Sequence, residues 1–294
     1  MSSLNYAPSW IARDLRQDRT GRVLILFPRV HSPVLAEVFS GIDEVARENR
    51  YFPLICPTAK DGVRERELLG LVSSRIVDGV IFIGTTLSAS ELDQLAENQS
   101  VIQCLERAEG ARTPCVSIDD FEAAQELTAH LVSLGHRSIG MVTNRSEPSS
   151  RLREEGFRAY LNSASIAVDE SLILDGTYDF STGRESIRRL VAGPRRPTAL
   201  VCASDVVAAG AITEARNVGL EIPGDIAIAG FDDSPEAQMT LPQITTIRQP
   251  FVEIGRQTMK SLLNQIGENV SSDGQGETVA HELIVRGSTA SSSS

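Results

Sequence analysis

Two polar side chains of complementary chemistry each follow a short apolar run. Arg153 comes after the run SIGMVT, and Asp232 closes the run IAIAGFD. A guanidinium can donate two parallel hydrogen bonds to a diol, a carboxylate or a base edge, and a carboxylate can accept from two adjacent hydroxyls. The pair therefore predicts a site for a small polar metabolite. A salt bridge on the surface or between lobes is the alternative for Arg153.

Other polar residues occupy equivalent positions after apolar runs. Ser204 and Asp205 follow TALVCA, Thr85 follows IFIG, Glu106 follows IQCL, and Gln249 follows ITTIR. Ligands of open α/β sheets bind outside the carboxyl ends of the strands, so all five are candidate ligand contacts. Asp205 could instead be a helix N-cap, and Gln249 could serve a hinge between lobes.

No residue pattern indicates catalysis, a metal or a cofactor. The sequence contains no GxSxG, Walker A, GxGxxG or HExxH motif, and its four cysteines form no CxxC pair. The four histidines lie far apart, without metal-ligand spacing. We therefore expect no enzyme activity, no metal and no cofactor.

Composition excludes several classes of protein. The 294 residues are 41% hydrophobic and 23% charged, which are values typical of a globular chain. A net charge of -11 argues against DNA binding by this chain alone, because that needs clustered Lys and Arg. No apolar stretch is long enough for a membrane span, and the N-terminus lacks a signal-peptide pattern. We expect a cytoplasmic protein with reduced thiols.

Apolar strand-like runs alternate with stretches of helical period, which predicts an α/β fold of βαβ units with parallel sheets. The helices are predicted over 34–49, 64–73, 89–98, 121–134, 151–163, 182–191, 206–218 and 251–266. The strand-like runs begin at Val23, Ile76, Ser100, Cys115, Ser138, Thr198, Asp225, Ile244 and Ala280. So many elements favour two doubly wound lobes with a cleft between them.

Eight sequence stretches in order resemble the lactose-repressor family of bacterial transcription regulators. They are PSWIARDLR, VLILFP, SLGHRSIGMV, RLREEGF, ASDVVAAGA, IPGDIAIAGFDD, LPQITTIRQP and ELIVRGST. The run QPFVEIGRQTMKSLLNQI, with ELIVRGST, most resembles the cytidine-repressor branch, whose effectors are nucleosides. The resemblance implies two periplasmic-binding-protein-like type I lobes, with the chain crossing near Asp119, Arg248 and Val279.

The implied domains are a hinge-helix remnant or linker (1–20), an N-terminal lobe (21–119 plus 249–278), a C-terminal lobe (120–248 plus 279–290) and a tail (291–294). Leu15 matches the family's leucine that wedges a base step in the minor groove, and Arg13 and Arg16 would face phosphates. The family's helix-turn-helix head would precede Asn5 and is absent from this sequence. We therefore expect operator binding only in a form that carries the head.

The resemblance also assigns effector contacts. Arg153 and Asp232 match the family's effector-binding arginine and aspartate, and Tyr178 matches an aromatic that stacks on the effector. A loop tyrosine covering the lobe edge is the alternative for Tyr178. Ser204 stands where relatives often have Asn, and Gln249 matches a cleft amide.

Other positions are expected to differ from the family or to serve structure. Relatives usually have an aromatic pair where this chain has Pro33, Val34 and Leu35, so stacking from the first lobe would be lost. Asp233 is expected to cap the following turn, and Asp119 to be a hinge or cap residue.

Together these features predict the effector-sensing, dimer-forming core of a repressor. A nucleoside, purine or sugar bound between the lobes would shift the population of inter-lobe angles and so change operator affinity. Helices 34–49 and 64–73 would form most of the homodimer contact. The alternatives are a transporter's solute-binding protein with the same fold, disfavoured by the hinge-like PSWIARDLR, and an enzyme on a doubly wound scaffold.

Overall fold

The computed structural model describes residues 19–28, 33–268 and 276–290. The chain divides into two compact units, and it passes between them after Ser117, after Pro250 and after Glu277. Unit 1 contains the chain up to Ser117 together with Phe251–Glu277, and unit 2 contains Ile118–Pro250 and the chain from Thr278. The predicted crossings near Asp119, Arg248 and Val279 fall close to these boundaries. The hinge residues Leu15, Arg13 and Arg16 and the tail 291–294 lie outside the described residues.

Unit 1 is built on a six-stranded sheet in the order β11-β5-β4-β3-β1-β2. The pairs from β2 through β5 are parallel, and the central strand β1 is almost completely buried. Its strands are β1 (Arg22–Phe27), β2 (Phe52–Pro57), β3 (Gly79–Phe82), β4 (Ser100–Cys104), β5 (Cys115–Ser117) and β11 (Glu277–Thr278). Its helices are α1 (Pro33–Glu48), α2 (Gly62–Ser73), α3 (Ala89–Ala96) and α9 (Phe251–Glu268).

Unit 2 repeats this order with the second set of strands, β12-β10-β9-β8-β6-β7. All its pairs are parallel except β10 with β12, which is antiparallel. Its strands are β6 (Ile139–Thr143), β7 (Ile173–Asp175), β8 (Ala199–Cys202), β9 (Ala227–Asp232), β10 (Thr245–Arg248) and β12 (Glu282–Ile284). Its helices are α4 (Asp120–Ser133), α5 (Pro148–Ser163), α6 (Phe180–Ala192), α7 (Asp205–Asn217) and α8 (Pro235–Met239), with a 3-10 turn at Glu170–Leu172.

Both sheets have the strand order of a doubly wound fold. The predicted fold class, two α/β lobes of parallel strands joined by three crossings, is confirmed. In each sheet the order reverses next to the first strand, between β1 and β3 in unit 1 and between β6 and β8 in unit 2. The carboxyl ends of the strands at such a switch point are where this class of sheet leaves room for a ligand.

Glycine at close helix contacts sets the packing of α5 on α4. A Cβ on Gly156 would lie 2.2 Å from the backbone oxygen of Phe121, so only glycine allows this approach. Gly255 plays the same role in unit 1, where a Cβ would lie 2.2 Å from the backbone oxygen of Val38 in α1. Such contacts draw α5 onto the start of α4, and this proximity matters for the site below.

The sequence missed the strands β2, β7 and β11 and the short helix α8. β2 and β7 are edge strands, and β2 begins and ends beside prolines, with a mostly half-exposed face. Edge strands lack the continuous apolar run that marked the central strands, because only one side of them is paired. In the described part of the chain, no helix combines the length and apolarity needed to cross a membrane.

Candidate effector site

Arg153 is buried on the inner side of α5. The helix begins at Pro148 rather than at Arg151 as predicted, so Arg153 lies in the second helical turn and not in the first. Only 6% of its side chain is exposed. Its Nε donates to Oδ1 of Asp120 over 2.7 Å, and its Nη1 donates to the backbone oxygen of Ala203 over 2.8 Å. Arg153 therefore does form a salt bridge, but it is buried and lies within unit 2, which differs from the surface or inter-lobe bridge considered from the sequence.

The surroundings of Arg153 keep its charge in place. Its guanidinium lies over the ring of Phe231, 4.2 Å from the ring centre, which is a cation–π geometry. Burial by itself lowers the pKa of Arg153, but Asp120, Tyr178 and Asp232 together raise it above its usual range. The arginine is thus a fixed positive charge beside the end of β8.

Asp232 ends β9 close to this guanidinium. Its Oδ1 lies 4.0 Å from Nη1 of Arg153 and accepts a hydrogen bond of 2.8 Å from Nε2 of Gln249. Burial raises the pKa of Asp232 to about 6, although Arg153 and Gln249 oppose that rise. The backbone φ of Asp232 is +106°, a left-handed region that costs energy for a residue other than glycine. Backbone strain of this kind is concentrated at functional sites.

Ser204 and Asp205 are both buried at the start of α7. The N-cap is Ser204, whose side chain accepts from the backbone N–H of Val207, so the interpretation of Asp205 as the cap is wrong. Oδ2 of Asp205 accepts from the backbone N–H of Ser234 over 2.8 Å. Its Oδ1 has no hydrogen-bond partner among the described residues and lies where a Cβ on Gly230 would reach, at 2.2 Å. Asp205 thus holds the loop after β9 in place.

Burial and then the negative charge of Asp232 raise the pKa of Asp205 well above its ordinary value. The carboxyl of Asp205 therefore carries less negative charge near neutral pH than an exposed aspartate would.

Tyr178 and Gln249 both lie in unit 2, although the domain bounds implied by the resemblance placed Gln249 in the N-terminal lobe. Tyr178 is half-buried in the loop between β7 and α6, near enough to Arg153 to affect its pKa. Gln249 is buried immediately after β10 and is bonded to Asp232. The structure therefore groups Gln249, Asp232 and Arg153, with Tyr178 beside them.

Asp233 was expected to cap a turn, and that prediction is wrong. Its carboxylate is paired with two arginines, accepting from Nε of Arg248 over 2.7 Å and from Nη2 of Arg286 over 2.5 Å. Asp119 does cap a helix, since its side chain accepts from the backbone N–H of Glu122 at the start of α4. Two neighbouring aspartates at strand ends thus differ: Asp232 lies beside Arg153, and Asp233 joins β10 to the end of the chain.

The candidates of unit 1 lie at the carboxyl ends of β3 and β4. The hydroxyl of Thr85 donates to the carboxylate of Glu65, which is fully buried and also accepts from the backbone N–H of Thr86. Glu106 is half-buried, and its side chain passes near Gly84, within 3.9 Å of the position of a Cβ there. Thr85 is therefore held by an internal partner.

Sequence reasoning missed Asp120 and Glu65, the two buried carboxylates that hold predicted site residues. The rule that selected polar residues after apolar runs applies to Asp120, which closely follows CVSID, but the predicted helix started one residue later. Glu65 lies inside α2 and carries no such signal. Among the described residues, no group of three or more His, Cys, Asp or Glu side chains could hold a metal ion.

The unit 2 cluster offers a donor and an acceptor side by side. The hydrogen bonds described above use Nε and Nη1 of Arg153 and Oδ1 of Asp232. A guanidinium N–H and a carboxylate oxygen in this arrangement suit a ligand group that both donates and accepts, such as a hydroxyl.

Comparison with known proteins identifies the family. A family model for a periplasmic binding protein-like domain matches residues 128–289. The HTH-type transcriptional repressor CytR of Escherichia coli strain K12 is 32% identical over 289 residues, which are 97% of this chain and 84% of that repressor. The HTH-type transcriptional repressor PurR of Haemophilus influenzae strain PittEE is 28% identical over 99% of this chain and 88% of its own length.

A solved LacI family transcriptional regulator from Mycobacterium smegmatis superposes with a TM-score of 0.80 at 26% identity, over 91% of this chain and 99% of that structure. Sequence and fold thus agree along nearly the whole chain. This protein belongs to the lactose-repressor (LacI) family of transcription regulators and carries the family's periplasmic-binding-protein-like domain.

Proposed function

We propose that this chain is the effector-sensing and dimer-forming core of a DNA-binding transcriptional repressor. A small polar metabolite, a nucleoside, purine or sugar, binds at the carboxyl edge of the unit 2 sheet and alters operator affinity. The observation that carries this proposal is the position of Arg153 and Asp232 at the carboxyl edge of the unit 2 sheet, 4.0 Å apart, with Gln249 bonded to Asp232. The CytR and PurR repressors to which the chain is similar support the regulatory role.

The chemistry of the cluster favours a ligand rich in hydroxyl groups. Asp232 accepts from a hydroxyl through Oδ2, and Arg153 donates to the same or a neighbouring oxygen through Nη2. Tyr178, half-buried beside them, supplies a ring face for a base or a sugar. Ser204 contributes less to ligand binding, because its hydroxyl already caps α7. Thr85 and Glu106 of unit 1 stay candidates predicted from the sequence.

The proposed active form is a homodimer that carries a DNA-reading head, with Leu15, Arg13 and Arg16 at the operator. The dimer contact is placed on α1 and α2 of unit 1. Val63 at the start of α2 is 68% exposed, an apolar side chain that a second copy would cover. Effector binding then changes the spacing of the two DNA-reading elements through a shift in populated conformations. The solute-binding alternative is disfavoured because the relatives are HTH-type repressors.

A thermal-shift screen with nucleosides, purines, pentoses and hexoses tests the proposal, because a ligand that binds the folded state raises the melting temperature. The decisive variant is Asp232→Asn, since asparagine tolerates a positive φ and can still accept from Gln249. Loss of a charged hydrogen-bond acceptor costs about 1.5–3 kcal/mol, so affinity falls roughly 10- to 150-fold.

The matched control is Asp119→Asn, which removes an exposed carboxylate and keeps a good helix cap. We expect this variant to respond like the unmodified chain. A ligand that shifts Asp232→Asn and the unmodified chain equally would show that the effector binds elsewhere.

A further inference from the structure

Asp120 takes up part of the charge and hydrogen-bonding capacity of Arg153 that a ligand could otherwise use. It is the first residue of α4, and only 5% of its side chain is exposed. Gly156 allows α5 to approach the start of α4, and this contact brings Nε of Arg153 within 2.7 Å of Oδ1 of Asp120. The pair is thus fixed by helix packing rather than by flexible surface side chains.

The internal partners of Arg153 use two of the five N–H groups of its guanidinium. A two-pronged grip on a phosphate or carboxylate requires two parallel N–H groups from one edge. Nε is bonded to Asp120, and Nη1 is bonded to the backbone oxygen of Ala203. While this ion pair is intact, the guanidinium edge that includes Nε cannot give an anion two parallel hydrogen bonds.

The charge around Arg153 is also unfavourable to an anion. One guanidinium faces two carboxylates, Asp120 and Asp232, at 2.7 Å and 4.0 Å. Glu236 adds a further negative charge near Asp232. Burial and the charge of Asp232 raise the pKa of Asp205, and Asp233 is paired with its own arginines. The immediate cluster is therefore net negative in spite of the arginine.

We infer that Asp120 is a specificity-determining residue, which makes this site bind uncharged hydroxyl-bearing ligands and reject their phosphorylated forms. The inference rests on the proposed function of the site. A phosphate group adds about 1.5 to 2 negative charges at neutral pH. In this cluster it meets two carboxylates, one of which already pairs with Nε of the guanidinium. The effector is accordingly a free nucleoside, base or sugar, and not a nucleotide or a sugar phosphate.

Matched ligand pairs test the inference. Binding of cytidine, adenosine, ribose and glucose to the whole chain is measured by calorimetry and thermal shift, each beside its 5′- or 6-phosphate. For the pair whose neutral member binds, we expect the phosphate to bind about tenfold or more weakly, because like charges oppose one another across the site.

The variant Asp120→Asn removes one negative charge beside the guanidinium without changing side-chain size. We expect it to improve binding of the phosphorylated member about tenfold or more, with little change for the neutral member. A purely structural role for Asp120 would weaken both members together. Asp119→Asn removes the same charge one residue earlier, from an exposed side chain, and should alter neither.

Inorganic phosphate serves as a probe that does not depend on the effector. We expect it to raise the melting temperature of Asp120→Asn and not that of the unmodified chain, Asp119→Asn or Asp120→Glu, which keeps the negative charge. Urea denaturation confirms that each variant is folded before binding is measured.

The outcomes separate the two proposals. A phosphorylated ligand that binds the unmodified chain as tightly as its neutral partner would overturn the inference and leave the proposed effector site standing. If Asp120→Asn leaves the ratio of the affinities for the phosphorylated and the neutral ligand unchanged, the inference is likewise overturned and the proposed effector site still stands. If neither class of ligand binds the unmodified chain or Asp120→Asn, and inorganic phosphate does not stabilise that variant, the proposed effector site is itself wrong.

Discussion

The replacement Asp232→Asn should change how the stability of the ligand-free chain depends on pH. Burial raises the pKa of Asp232 from 3.8 to about 6. Between these two values the folded chain keeps a proton that the unfolded chain has released. Protonation of Asp232 therefore stabilises the fold below pH 3.8, and this stabilisation is lost as the pH rises through about 6. Asparagine does not titrate, so the variant does not lose this stability as the pH rises.

The size of the effect follows from the shift in pKa. The value rises by about two, and each pH unit corresponds to about 1.4 kcal/mol at 25 °C. Between about pH 4 and pH 7.5, the unmodified chain should lose about 3 kcal/mol of stability that the variant retains. The side chain is 16% exposed, so solvent screening reduces this figure only modestly.

The measurement is urea denaturation of both proteins at intervals across this pH range, followed by circular dichroism. Asp205 and Asp120 also have raised pKa values, and both carboxylates interact with the charge of Asp232, so the difference measures Asp232 together with this coupling. Asp119→Asn is the control, since it removes an exposed carboxylate and keeps a good helix cap. A difference for Asp232→Asn that varies by less than about 0.5 kcal/mol over the range would refute the buried placement of this carboxylate.

Two further predictions concern packing and assembly. Gly156→Ala places a Cβ against the backbone oxygen of Phe121 and should lower the free energy of unfolding by about 1–3 kcal/mol, measured by urea denaturation. Gly70→Ala is its control, because no atom lies within 4 Å of the added Cβ and alanine should gain about 0.5–1 kcal/mol in a helix; equal effects of the two changes would contradict the packing argument. Val63→Asp should weaken the proposed dimer about tenfold or more in analytical ultracentrifugation, since a symmetric interface would bury the new charge twice. An unchanged sedimentation profile would place the dimer contact elsewhere.

The apolar runs predicted the buried strands well, because strands covered on both faces leave a continuous signal. β1, β3 and β9 are of this kind. β2 was missed because an edge strand needs neither a continuous apolar run nor freedom from proline. Its place in the sheet is set by pairing with β1, a contact that the local sequence does not encode.

The candidate site was predicted to the level of single residues but not to the level of partners. Strand ends located Arg153 and Asp232, because topology brings the carboxyl ends of parallel strands to one edge. The pairing of Arg153 with Asp120 joins positions 33 residues apart and depends on the tight contact at Gly156. A charge balance of this kind is a property of packing, and a list of strand-end residues does not contain it.

The passage of the chain between the units has a consequence for synthesis on the ribosome. α9 packs on α1 and on β4, and Oε1 of Gln265 accepts from the backbone N–H of Val101, yet α9 is translated after nearly all of unit 2. The sheet of unit 1 therefore lacks α9, and keeps apolar surface exposed, until most of unit 2 has been synthesised. Nascent chains of this protein should depend on chaperones during that interval more than a protein of two contiguous domains would.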